Sequence, residues 1–240
     1  MDFGNPYSTS SDYRVAALAE VSERSAFIRR TYLHLGGAVI AFVLLETLLV
    51  QMFPLPAIAD TLMKIGPWAG LIFIFGFMAV SWLARYWADS GSSPALQYAG
   101  LSLYVVAEAA IFLPLMAIAF NIDEKIPMNA GIITALVFGG LTAMTFMSRA
   151  DFSWMGRLLW IAGLAATGAV FCGFIFGFSL GLWFSVAMVV MAAGYILYDT
   201  SNVLHHYRTD QHVAASLALF SSVALLLWYV VRILIALRDE

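Results

Sequence analysis

The sequence predicts an all-α, polytopic membrane protein with seven transmembrane helices, and three observations carry that prediction. Of its 240 residues, 62% are apolar and only 11% charged, against about 25% charged in ordinary soluble domains. Mean hydropathy is +0.87. Seven apolar runs each approach or exceed the roughly 20 residues that a helix needs to cross a hydrocarbon core of about 30 Å. Lipid offers the backbone no hydrogen-bond partners, so runs of this kind span as helices.

The runs cover residues 34–53, 66–88, 97–120, 129–148, 156–176, 179–204 and 213–237. Pro54 and Pro56 close the first, and Asp89 to Pro94 the second. Asn121 to Pro127 ends the third, and Ser148 to Ser153 the fourth. The fifth break carries only Gly173, Gly177 and Gly181. Their spacing fits a close helix-packing face or a tight turn, and the turn is favoured because a fused helix would approach fifty residues. Residues 1–30 form a polar tail and residues 31–240 the membrane domain. Within the tail, Val21 to Arg30 fits an interfacial helix. The first run starts too late and runs too long for a cleavable signal peptide.

Basic residues set the orientation. An inside N-terminus puts Arg14, Arg24, Arg29, Arg30, Arg85, Arg149, Arg157 and Arg208 in the cytoplasm and Lys64, Lys125, Arg232 and Arg238 outside. The expectation is a multi-pass protein of a bacterial inner membrane with a cytoplasmic N-terminus. The net charge of -3 is too small to suggest a nucleic-acid partner, and the single Cys172 excludes an intrachain disulfide. No cofactor is implied.

Four ionisable residues fall inside the runs: Glu46, Glu108, Asp199 and Arg232. Such residues are costly in lipid and mark functional sites by default. Glu108 lies about eleven residues into its run, or ~16 Å deep, and Glu46 at similar or slightly greater depth. A protonated acid hydrogen-bonded to a neighbouring helix would explain either without transport. Arg232 lies near the outer end of the last run, where it can snorkel to the interface or pair internally with Glu46 or Glu108. Tyr195, Asp199, Asn202 and His206 recur at i, i+4, i+7 and i+11, a polar stripe on one helix face. Such a stripe faces the bundle interior or a watery cavity, with Arg149, Arg208 or a bound cation as possible counter-charges. His34, His205, His206 and His212 share one side; without a carboxylate or cysteine at ligand spacing they read as interface histidines rather than a metal site. Gly177-Phe178-Ser179-Leu180-Gly181 matches a bare nucleophile pattern. Ser179 and His205 stand at opposite ends of one helix, however, about 39 Å apart, so no enzyme is expected.

Three blocks together resemble the Bax inhibitor-1 (transmembrane BAX inhibitor motif) family, nearest its bacterial YccA-like branch. They are Arg29 to Leu35 at the entry of the first run; Gly140 to Gly156 with its Asp151-Phe152-Ser153 loop; and Asp199-Thr200-Ser201-Asn202-Val203-Leu204-His205. The resemblance covers about residues 25–238. It implies a central helix wrapped by six others and a cytoprotective role. In some members it implies a pH-sensitive calcium leak gated by paired aspartates on the sixth and seventh spans. The first aspartate corresponds to Asp199; the second corresponds to Ser222, or to Ser221 with a one-residue shift. The last run holds no acid, which departs from the paired gate, because a carboxyl opposite a serine cannot share a proton as two carboxyls do. The YccA-like branch implies instead a non-enzymatic partner of a membrane-bound AAA protease of the FtsH type. The expected partners are therefore the lipid bilayer, that protease, and calcium or protons along a path of Glu108, Asp199 and Ser222.

Overall fold

The computed structural model describes residues 15–65, 69–89 and 93–238. Arg14 and the rest of the tail before Val15, and Asp239, lie outside the described residues. The helices are α1 (Val21–Met52), α2 (Leu55–Ile65), α3 (Ala69–Ala88), α4 (Pro94–Ile122), α5 (Lys125–Ser148), α6 (Met155–Phe176), α7 (Gly181–His205) and α8 (His212–Ala236). All but α2 are long and apolar enough to cross a membrane, which makes seven spans.

The central helix is α8. Val213, Leu217, Phe220, Ala224 and Val231 are buried along with Ala215, Leu219, Ser222, Leu226 and Val230. These positions wrap the whole circumference, the pattern of an interior helix. Helices α1, α3, α4, α5 and α7 pack around it, while α6 stands further out against α7 and α3. The wrap is thus five helices with α6 outside, rather than six equivalent neighbours. Lipid-facing surfaces carry aromatic residues at both ends, among them exposed Trp82, Tyr86 and Trp154 on the N-terminal side and Trp183 on the opposite side.

Two local expectations are corrected. Val21 to Arg30 is not a separate interfacial helix; it is the start of the 32-residue α1. Buried Phe27, Thr31, Leu35, Ala38, Phe42 and Glu46 form one unbroken helical stripe across the supposed boundary, so nothing breaks the helix there. The segment after Pro54 is not a bare connection but α2. Pro56 sits in its first turn, where a missing N–H costs nothing. Asp60 and Lys64 pair at 2.6 Å one turn apart on its exposed face. The apolar spacing Leu55, Ile58, Leu62, Ile65 was the available signal for an interfacial helix. The glycine-rich break is a turn, as favoured: Gly177 and Gly181 adopt φ of 70° and 66°, the left-handed region that glycine enters freely.

The chain enters the bundle through a backbone tether. Val15 bridges Arg208 in the α7–α8 loop, and the Ala16 N–H donates to the Tyr207 carbonyl at 2.9 Å. Helices α3 and α4 approach closely at Gly100. A Cβ there would lie 2.5 Å from the Ala84 carbonyl oxygen and 2.7 Å from the Ala88 nitrogen. Both are backbone atoms, so the helices themselves must separate, at about 1–3 kcal/mol for such overpacking. Gly100→Ala is expected to lower the melting temperature in detergent. Gly76→Ala, in open space on α3, should hold or raise it. Equal melting of the two variants would contradict this packing.

Candidate functional site: a vestibule above buried carboxyls

Helices α3 and α6 converge on the side opposite the N-terminus. There the Phe75 and Phe171 rings lie 5.3 Å apart and Gly70 abuts the Phe174 ring. On the N-terminal side a cavity of about 1040 Å³ opens between α3, the α5–α6 loop, α7 and α8. Arg85, Tyr86, Tyr198, Asn202, His206 and Ala218 line it. Tyr207, also on its wall, has its hydroxyl pushed up in pKa by burial, so it remains a hydrogen-bond donor through the physiological range.

Arg85 stands between this vestibule and the core. Its Nη2 donates to Ser221 Oγ at 2.7 Å and to Tyr104 Oη at 3.4 Å, and the guanidinium lies 5.3 Å from the Tyr104 ring centre. The Tyr104 hydroxyl donates to Ser221 Oγ at 2.9 Å. Three helices, α3, α4 and α8, therefore close on one polar knot. Beside it, Ser222 donates to the carboxylate of buried Asp199, which joins α7 to α8. Glu108, one turn beyond Tyr104 on α4, is also buried, and the Arg85 charge acts on both acids without an ion-pair contact among the described residues.

Glu46 is buried too, and neither of its carboxyl oxygens has a hydrogen-bond partner among the described residues. Arg232 is not brought to it or to Glu108; its guanidinium lies 6.0 Å from the Tyr229 ring centre. The depths are ordered. Ser216 Oγ donates to the Thr31 carbonyl at 2.8 Å, which fixes the register of α1 on α8. From that level, 1.5 Å per residue puts Asp199 at ~9 Å, Glu108 at ~14 Å and Glu46 at ~22 Å. Between Glu108 and Glu46 stands an aromatic cluster: Phe42 and Phe112 with centroids 5.1 Å apart, and Phe112 and Trp228 at 5.0 Å.

The polar stripe of α7 does not act as one unit. Tyr195 turns to α6, donating to the Leu159 carbonyl at 2.9 Å. Asn202 and His206 face the vestibule, and only Asp199 enters the core. The expected counter-charges are also replaced. Arg208 pairs with Asp210 at 2.7 Å, Arg149 caps α5, and Arg85 is the cation whose charge acts on Asp199, without an ion-pair contact. Sequence reasoning missed Arg85 and Tyr104. Arg85 lies a turn before the break at Asp89 and counted only as a topogenic charge. The histidines have partners: His34 and His212 flank Tyr98, and half-exposed His206 pairs with Asp151 at 3.2 Å.

That pair ties together two of the sequence blocks. The α5–α6 loop docks on α7 through the Phe152 N–H to Ser201 Oγ at 2.9 Å, and Ser201 Oγ to Asp151 Oδ1 at 3.3 Å. The Ser153 backbone N–H, then its hydroxyl, and then His206 hold the Asp151 carboxyl well below the usual carboxylate range, at about 2. A depressed folded pKa stabilises above the unfolded pKa of about 3.9 and is lost as pH falls toward 2. Asp151→Asn should therefore melt slightly lower than the parent from pH 8 to 5, with the gap shrinking below about pH 4. A gap that stays constant to pH 2 would contradict the assignment. The side chain is half exposed, so the effect is small.

An all-α bundle with seven long apolar helices and buried carboxyls is a multi-pass membrane protein. The family model for the inhibitor of apoptosis-promoting Bax1 matches residues 24–239, and the chain belongs to that family. Protein lifeguard 4 of Mus musculus is 27% identical over 232 residues, 93% of this chain and 90% of its own length. Bax inhibitor 1 of Schizosaccharomyces pombe is 32% identical over 120 residues, 49% of this chain and 45% of its own. An uncharacterized protein of Pseudomonas aeruginosa is 27% identical over 209 residues, 87% of this chain and 88% of its own. No solved structure matches the chain.

Proposed function

We propose that the protein is a pH-responsive cation leak of the stress-protective Bax inhibitor type. Its path runs from the vestibule past Arg85 to Asp199 and Glu108, with Glu46 beyond. The observation that carries this reading is the vertical order: an open polar vestibule, then a tethered guanidinium, then three buried acids at increasing depth. Asp199, Ser222, Ser221 and Glu108 present hard oxygens suited to calcium or a proton. Arg85 occupies the position a permeating cation would compete for, and the Phe42–Phe112–Trp228 cluster is a hydrophobic constriction of the kind that gates by dewetting. The eight-to-four distribution of basic residues supports a cytoplasmic vestibule in a bacterial inner membrane.

Ser222 donates to Asp199, and we assign it the position of the second gating acid. A serine there gives a shallow pH response, and Ser222→Asp is expected to steepen it, since two facing carboxyls couple their protonation. Calcium flux into proteoliposomes across a pH series reads this directly. An unchanged profile in a folded Ser222→Asp variant would remove the pair from the gate.

A second reading, modulation of a membrane-bound AAA protease through the tail, draws support from the Val15–Arg208 bridge. Tension on residues before Val15 would be delivered to the α7–α8 loop beside the vestibule. Pulse-chase of a chain lacking residues 2–14, in cells with and without the protease, tests it; decay that stays protease-dependent would dismiss the tail as the handle.

A further inference from the structure

We propose that the furrow between α1 and α4 holds one anionic phospholipid, its phosphate over Arg30 and His34 and an acyl chain along the furrow. The furrow is a second cavity of about 490 Å³, lined by Leu33, His34, Gly37, Ala41, Leu101 and Val105 among others. On α1 the positions Arg30, His34, Gly37, Ala41 and Leu45 follow at i, i+4, i+7, i+11 and i+15, so a single helix face runs from a cation to an apolar floor. Gly37 and Ala41 leave the trough open, and a Cβ on Gly37 would meet nothing within 4 Å.

The mouth is chemically distinct from the trough. Arg29 and Arg30 are exposed and make no ion pair with a carboxylate among the described residues. His34 Nδ1 lies 2.7 Å from the Arg30 carbonyl and so carries the proton; its Nε2 lies 3.2 Å from Tyr98 Oη, which in turn lies 3.4 Å from His212 Nε2. A guanidinium beside this imidazole–phenol cluster, at the level where the helix leaves the hydrocarbon, matches a phosphodiester. From His34 to Leu45 is ~16 Å along the axis, close to half of a hydrocarbon core of about 30 Å, which is one leaflet's acyl chain. Charge selects the lipid over a second copy of this chain. A two-fold contact across the furrow would set Arg29 and Arg30 near their own equivalents.

The test is native mass spectrometry of the full chain released from detergent, with dioleoylphosphatidylglycerol or dioleoylphosphatidylcholine added as probe. The expected result is one retained phosphatidylglycerol per chain, preferred over phosphatidylcholine by about tenfold, the effect of one charge-assisted contact. Arg30→Gln should abolish the preference. Gly37→Leu, which fills open space, should reduce retention of both lipids while leaving melting in lipid-free detergent unchanged. Equal retention of the two lipids, retention indifferent to Gly37→Leu, or a chain dimer sealing the furrow would each overturn the proposal.

Discussion

Asp199→Leu is expected to melt well below the parent protein in detergent, while Asp199→Asn holds close to it or rises at neutral pH. The carboxyl is buried between α7 and α8 and accepts from the Ser222 hydroxyl. Leucine removes that acceptor and strands the hydroxyl in a dry site, at about 1–3 kcal/mol. For a domain of this size that is a fall of roughly 2–10 °C. Asparagine keeps an oxygen where the Ser222 proton points. If the native site instead depends on an ionised Asp199 held by Arg85, the asparagine variant should lose as much as leucine at pH 7. Melting curves of both variants from pH 5 to 8 separate the cases.

Arg85→Ala is expected to raise cation flux by about tenfold or more, because it deletes charge-assisted hydrogen bonds worth about 1.5–3 kcal/mol that hold the floor of the vestibule. The guanidinium bridges Ser221 and Tyr104 across α3, α4 and α8. Without it, the bridge over Ser221 and Tyr104 is lost and the acids beneath become open to a mobile cation. Arg85→Lys should fall between, since a single ammonium keeps the charge but not the forked geometry. Proteoliposome flux at fixed pH measures the series. Flux that falls in Arg85→Ala, with normal melting, would make Arg85 a part of the conducting path rather than its latch.

The span count and the turn at Gly177 were legible because length, hydropathy and glycine are local properties. Which helix is central was not, because α8 is no more apolar than α4. What distinguishes it is burial on every side, a property of its neighbours. Asp199 and Glu108 announced themselves as charges inside apolar runs. Arg85 did not, because a cation one turn from a span's end reads as an interface residue, and only the packing of α3 against α4 and α8 carries it to Ser221. The stripe through Tyr195, Asp199, Asn202 and His206 gave the right face of α7. Three different partners then divide it: α6, α8 and the α5–α6 loop. Ser222 rather than Ser221 meets Asp199 because α7 and α8 fix a register that no single run encodes.

Calcium flux into proteoliposomes across a pH series, with parent, Asp199→Asn and Arg85→Ala side by side, bears most directly on a path through the vestibule. The expected result is a measurable, pH-dependent flux in the parent, loss of the pH dependence in Asp199→Asn, and increased flux in Arg85→Ala. Flux in the parent no greater than in empty liposomes at every pH, together with indifference to both substitutions in folded protein, would contradict the leak. The vestibule would then have to be read as a binding surface.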